Sequence, residues 1–147
     1  MAPSKDRVLD KAGPPFERLV HIMAALRAPD GCAWDRKQTH KSLLPYLIEE
    51  AYEVVEAIET ENFDELREEL GDLLVQVVFH AQLAAEAGRF TVDDSIQAVV
   101  DKLAARHPHV FGERKELNSK EVRDQLEQIK VDSGEKTRVL AGVPPAI

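Results

Sequence analysis

The sequence has a single cysteine, Cys32, so no disulfide can form within the chain. Aromatic residues make up only 5% of it, which turns the expected core towards aliphatic packing. No run of 18 or more apolar residues occurs, so no segment reads as a membrane-spanning helix. The first residues, Met1 to Lys11, are polar and mixed in charge and lack the apolar stretch of a signal peptide. These absences together favour a reducing, cytoplasmic setting. An excess of basic charge is also lacking, since Lys and Arg number 19 against 27 Asp and Glu. A net charge of −8 argues against stable nucleic-acid binding, which needs a basic footprint.

What the chain does have is 44% hydrophobic content over 147 residues, enough for one globular domain. The pattern is helical nearly throughout. Phe16, Leu19, Val20, Met23 and Leu26 recur at helical spacing and predict a helix over 15–27. Residues 28–35 read as a turn-rich loop, followed by a short helical turn over 39–44. A second long helix is expected over 45–61. A third runs from Asn62, which forms a capping box with Glu65, to Ala87, where Gly88 stops it. A fourth spans 92–106, a polar loop covers 107–118, and a last helix fades near Ser133-Gly134. No strand pattern is convincing. The expected class is therefore all-α, a helical bundle, with residues 1–13 a flexible N-terminus, 14–136 the domain and 137–147 a linker-like tail.

The acidity is local. Between Pro45 and Asp72 lie eleven acids and one base, Arg67, so this stretch carries −10. A solvated helix surface is the ordinary outcome for such a run, but the spacing is more specific. Glu50 and Glu53 are i,i+3 neighbours on one face of the second long helix. Glu69 and Asp72 have the same spacing on the third. A short connection makes the two helices an antiparallel hairpin, which sets the pairs opposite each other. Four carboxylates so close need protons, water or a hard cation, and oxygen-only ligation suits Mg²⁺, Mn²⁺ or Ca²⁺. Residues 49–72 hold no His or Cys, which disfavours zinc.

The third helix carries a further signal. Leu66, Leu70, Leu73, Leu74, Val77 and Val78 share one arc, while Val75 and Phe79 fall on the other side. From Leu73 onward it is apolar almost all round, which predicts burial on several faces and a subunit interface, hence a homo-oligomer.

Six segments stand out in order along the chain: Gly31-Cys-Ala-Trp-Asp35, Thr39-His-Lys-Ser-Leu, Glu49-Glu-Ala-Tyr-Glu53, Glu69-Leu-Gly-Asp72, Val77-Val-Phe-His-Ala-Gln82 and Lys102-Leu-Ala-Ala-Arg-His-Pro-His-Val-Phe-Gly112. Together they resemble the MazG nucleoside triphosphate pyrophosphohydrolases, within the all-α NTP pyrophosphatases. The resemblance covers about residues 16–112 and is nearest to the first of the two tandem copies that many members carry. It implies Mg²⁺, with Mn²⁺ as a substitute, on Glu50, Glu53, Glu69 and Asp72. It also implies Glu49 beside them to orient or deprotonate water, and Glu50 and Glu53 in the catalytic set. The implied reaction cleaves a nucleoside triphosphate, NTP or dNTP and including non-canonical forms, to monophosphate and pyrophosphate. Lys102 and Arg106 resemble the family's phosphate-contacting pair. Trp34 either stacks on a base or pins its loop, and Arg36 and Lys37 are further substrate-binding candidates. A non-catalytic oligomerisation or nucleotide-sensing module is the alternative reading. His80 reads as an interface histidine, Cys32 as a small packed residue, and Tyr46 and Tyr52 as packing residues.

Overall fold

The computed structural model describes residues 13–113 and 116–134. The expected flexible N-terminus, apart from residue 13, and the expected tail 137–147 lie outside these residues. Every regular element among the described residues is an α-helix. The chain divides into two compact units with the boundary after Val92, inside the 14–136 region that the sequence reading treats as one domain.

The first unit contains α1 (Pro15–Arg27), α2 (Ala33–Lys37), α3 (Leu44–Glu59) and α4 (Phe63–Glu86). Helix α1 begins with proline in its first turn, where the missing N–H costs nothing. After α1 the chain doubles back. Gly31 donates to the Ala28 carbonyl at 2.8 Å and Cys32 to that of Leu26 at 2.8 Å. A Cβ at Gly31 would collide with the Ala25 and Leu26 carbonyls, so only glycine lets the loop close over the helix end.

Helices α3 and α4 pack against each other, and α1 packs on α4. Their connection contains Glu61 at φ 53, a left-handed residue. Asn62 then caps α4, accepting from the Glu65 N–H at 3.2 Å and donating to the Glu65 carboxylate at 3.1 Å. The Asn62 cap expected from sequence is present, but the box does not close: the Asn62 backbone N–H donates to the Ala57 carbonyl at 3.0 Å and not to Glu65. The core comprises Met23, Leu43, Val78 and Phe79, with Phe16, Leu19, Val20, Val75 and Leu83 packed around it. These are the apolar face of α1, one side of α4 and Leu43, at the N-cap of α3. The other side of α4 stays exposed at Phe63, Leu70, Leu74 and Val77, and α3 exposes Ile48, Tyr52, Val55 and Ile58.

The second unit contains α5 from its second residue onward (Val92–Arg106), α6 (Pro108–Phe111) and α7 (Ser119–Asp132). Asn118 caps α7 by accepting from the Glu121 N–H at 2.9 Å. A 3.0 Å hydrogen bond joins Gln125 to His109, and Arg106 and Leu126 are buried.

Three expectations are corrected. Residues 33–35, expected within the 28–35 loop, belong to α2, and residues 108–111, expected within the 107–118 loop, form α6. Helices of five and four residues are too short to show a hydrophobic period, and tertiary contacts stabilise what propensity cannot. Tyr52, read as a packing residue, is 70% exposed on the unpartnered face of α3.

Candidate metal centre

The hairpin register brings Glu50 and Glu53 of α3 to Glu69 and Asp72 of α4. One carboxylate oxygen from each lies within 4.8 Å of all the others. Glu50, Glu53 and Glu69 are half-buried and Asp72 is exposed. Two oxygens, Glu50 Oε2 and Glu69 Oε2, are buried with no hydrogen-bond partner. An acceptor shielded from water without a donor is unfavourable, more so if charged, so these atoms suit a proton or a cation.

The electrostatics agree. Glu50 is shifted above the usual carboxylate range, first by burial and then by the charges of Glu53, Asp72 and Glu49. Glu69 is pushed up to about 7, chiefly because its carboxyl hydrogen-bonds Glu53, and further by burial and the charges of Glu53, Asp72 and Glu50. The nest therefore retains a proton near neutrality. A hard cation can replace that proton and offset more charge than it did. The donor set is all oxygen, and the residues present fit Mg²⁺ or Mn²⁺.

The polar stripe of α4 continues past Asp72. Gln76 is buried with Oε1 unpartnered, and His80 is half-buried with Nε2 unpartnered. The His80 Nδ1 lies 2.7 Å from the Nδ1 of His40, with the two rings within 9° of parallel. Such a bond requires at least one neutral ring. Burial, followed by the His40 charge, lowers the His80 pKa. His80 is expected at an interface from its sequence, whereas His40, in the Thr39–Leu43 segment, carries no local signal of this pairing.

Glu49 is exposed beside Glu50. Trp34, Arg36 and Lys37 share α2. The Trp34 ring is 48% exposed and meets Tyr46, at the start of α3, edge-on with centroids 5.7 Å apart. That edge contact pins the indole from one side while much of it stays open to solvent. Arg36 donates to the Pro29 carbonyl, and Lys37 is exposed. Lys102 and Arg106 belong to the second unit, one turn apart on α5, Lys102 exposed and Arg106 buried. Arg27 and Glu86, 59 positions apart, form an ion pair that no local pattern signals.

Residues 38–111, which include α3, α4, α5 and α6, match the model of the MazG nucleotide pyrophosphohydrolase domain. The chain belongs to the MazG family. This MazG domain is 61% identical over 105 residues to the nucleoside triphosphate pyrophosphohydrolase/pyrophosphatase MazG of Thermotoga maritima, covering 71% of this chain and 41% of that protein. It is 54% identical over 118 residues to the nucleoside triphosphate pyrophosphohydrolase of Escherichia coli K12, covering 80% of this chain and 45% of that one. The chain thus spans less than half the length of these two relatives. The crystal structure of a mazG-related protein from Thermotoga maritima superposes with a TM-score of 0.66 at 30% identity, covering 78% of this chain and 98% of that one. The acidic hairpin lies wholly within the matched residues.

Proposed function

We propose that this MazG domain hydrolyses nucleoside triphosphates to monophosphate and pyrophosphate with Mg²⁺ held by Glu50, Glu53, Glu69 and Asp72. The convergence of four carboxylate oxygens, two of them buried and unpartnered, carries the reading. Bound Mg²⁺, or Mn²⁺ in its place, supplies neutralisation of polyphosphate charge and a lowered pKa for water.

The chain's own groups do the rest. The rigid hairpin fixes the carboxylates before substrate arrives, so little reorganisation accompanies binding. Glu49, exposed at the edge of the nest, orients water and takes its proton as it attacks between the α- and β-phosphates. Trp34 offers a half-open indole for a base, and Arg36 and Lys37 offer positive charge to phosphate. Lys102 and Arg106 remain phosphate-binding candidates on the family resemblance. The substrates are NTPs or dNTPs, including non-canonical forms, in a cytoplasmic nucleotide-pool role. No helix among the described residues is long and apolar enough to cross a membrane.

A homo-oligomer accompanies this reading. Phe63, Leu70, Leu74 and Val77 on α4, with Ile48, Tyr52 and Val55 on α3, form exposed apolar stripes at helical spacing. Leu74→Asp should lower the mass seen by sedimentation if the stripes are buried between copies.

The decisive assay incubates purified chain with NTPs and dNTPs, oxidised and deaminated forms included, with Mg²⁺ or Mn²⁺. Pyrophosphate should appear, and orthophosphate should not. No pyrophosphate from any of them defeats the reading. Nucleotide binding without product would instead assign a sensing module.

A further inference from the structure

The helix carrying Trp34, Arg36 and Lys37 is only five residues long and does not hold itself in place. One side chain reaches both it and α4. Arg27, the last residue of α1, directs Nε and Nη2 onto the carboxylate of Glu86, at 2.8 Å to Oε2 and 3.0 Å to Oε1. Its remaining amino group, Nη1, donates to the backbone carbonyls of Asp35 at 2.5 Å and Gln38 at 3.3 Å. The guanidinium also sits 5.9 Å from the ring centroid of Phe79 in the core. The Arg27 side chain is 11% exposed, and its bonds to the Asp35 and Gln38 carbonyls are partly buried, while the Glu86 end is open to solvent.

The geometry is that of a clamp. Arginine's planar fork binds a carboxylate with two parallel bonds and leaves its far edge free to donate elsewhere. Here the far edge donates to the Gln38 carbonyl and shares the Asp35 carbonyl with the Gln38 N–H, at the C-terminal end of α2. The clamp joins the ends of α1 and α4 to the end of α2.

Resting on the reading that α2 contacts substrate, we propose that Arg27 is a positioning residue: through the Asp35 and Gln38 carbonyls it sets where α2 presents Trp34, Arg36 and Lys37 to the nucleotide. Arg27 itself touches no substrate. Glu86 lies fourteen residues beyond Asp72 on α4, about 21 Å at about 1.5 Å per residue. Loss of the clamp therefore disturbs nucleotide binding and leaves the metal nest alone.

Trp34 is the sole tryptophan, so its fluorescence reports on α2 directly. The test uses the full chain with Arg27→Met, which keeps the apolar stem and removes the donors. Acrylamide quenching of Trp34 should rise about twofold and KM for NTP about tenfold, equivalent to about 1.4 kcal/mol. The kcat and the rise in melting temperature caused by Mg²⁺ should stay at wild-type values. Arg27→Lys, which keeps the charge but not the fork, should fall between, and it carries the test if Arg27→Met does not fold. Wild-type quenching and KM in the lysine variant as well as the methionine variant would overturn the proposal. So would loss of kcat together with loss of the Mg²⁺ effect, which indicates a general structural role. A wild-type chain that neither binds nor cleaves nucleotide defeats the hydrolase reading instead, whereas unchanged quenching with normal nucleotide binding defeats the clamp alone.

Discussion

Helix α4 carries Glu69 and Asp72 in its first half and Glu86 at its last position, and its two parts treat a carboxylate in opposite ways. At Glu86 the negative charge meets a guanidinium fork, and Arg27 holds the carboxyl below its usual range. Around Glu69 the neighbours are Glu50, Glu53 and Asp72, and the carboxyl is driven up to about 7. The first arrangement is complete in itself. The second is not: it gathers like charges, half-buries three of the four groups and leaves two oxygens without donors. Protein stability alone does not explain such a cluster, because like charges in one place oppose folding. The comparison separates groups that hold the fold from groups that the fold holds ready.

Removing a nest carboxylate breaks the comparison most sharply. Asp72→Ala or Glu53→Ala should lower pyrophosphate release on the order of a thousandfold, the scale expected when preorganised charge is lost. The Mg²⁺-induced rise in melting temperature should vanish, while helical circular dichroism stays native. Metal-free Asp72→Ala should melt no lower than metal-free wild type, because one repelling charge is gone. A variant that unfolds would give the nest a structural role.

A smaller effect comes from pH. The folded-state pKa of Glu69 lies above its unfolded value of 4.5, so between these values the folded chain binds more protons than the unfolded chain. Stability of the metal-free protein from this group is therefore full below about 4.5 and declines as pH rises through about 7. Mg²⁺ competes with that proton. The melting-temperature gain at a fixed Mg²⁺ concentration should be larger at pH 8 than at pH 5, read by differential scanning fluorimetry. An equal gain at both would remove the retained proton from the account.

The clamp predicts the smallest change. Glu86→Gln should lower stability by about 1 kcal/mol, modest because Glu86 is partly open to solvent. The sign also reverses relative to the nest. A depressed carboxyl pKa stabilises above its unfolded value and is lost as pH falls through the folded one. The deficit of Glu86→Gln in urea unfolding should thus shrink on acidification, whereas metal-free wild type gains from protonation at Glu69.

The same contrast explains what the sequence disclosed. Glu50, Glu53, Glu69 and Asp72 are legible because helical spacing and a short turn make a local rule into a three-dimensional one. The helix spanning Pro15 to Arg27 and the Asn62 cap on α4 are legible for the same reason. Arg27 and Glu86 are not, since nothing local relates two residues 59 positions apart. His40 and His80, 40 positions apart, share that fate. Helix α2 was hidden differently. Its proline- and glycine-containing approach, Pro29 to Gly31, carries turn signals, while the clamp and the Cys32 carbonyl accepting from Arg36 at 3.0 Å stabilise a helix that propensity would not. Glycine's role at Gly31 is a close approach to two carbonyls, visible only once the chain doubles back.

The connection between α3 and α4 is only residues 60–62, and all four nest carboxylates fall between positions 50 and 72. Contacts this close in sequence need little loop closure, so the hairpin is among the first tertiary units the chain can assemble. The repulsion it gathers is therefore met early, before the long-range tie between Arg27 and Glu86 can form. A proton or cation at the nest would ease assembly of the hairpin as well as stabilise the finished fold.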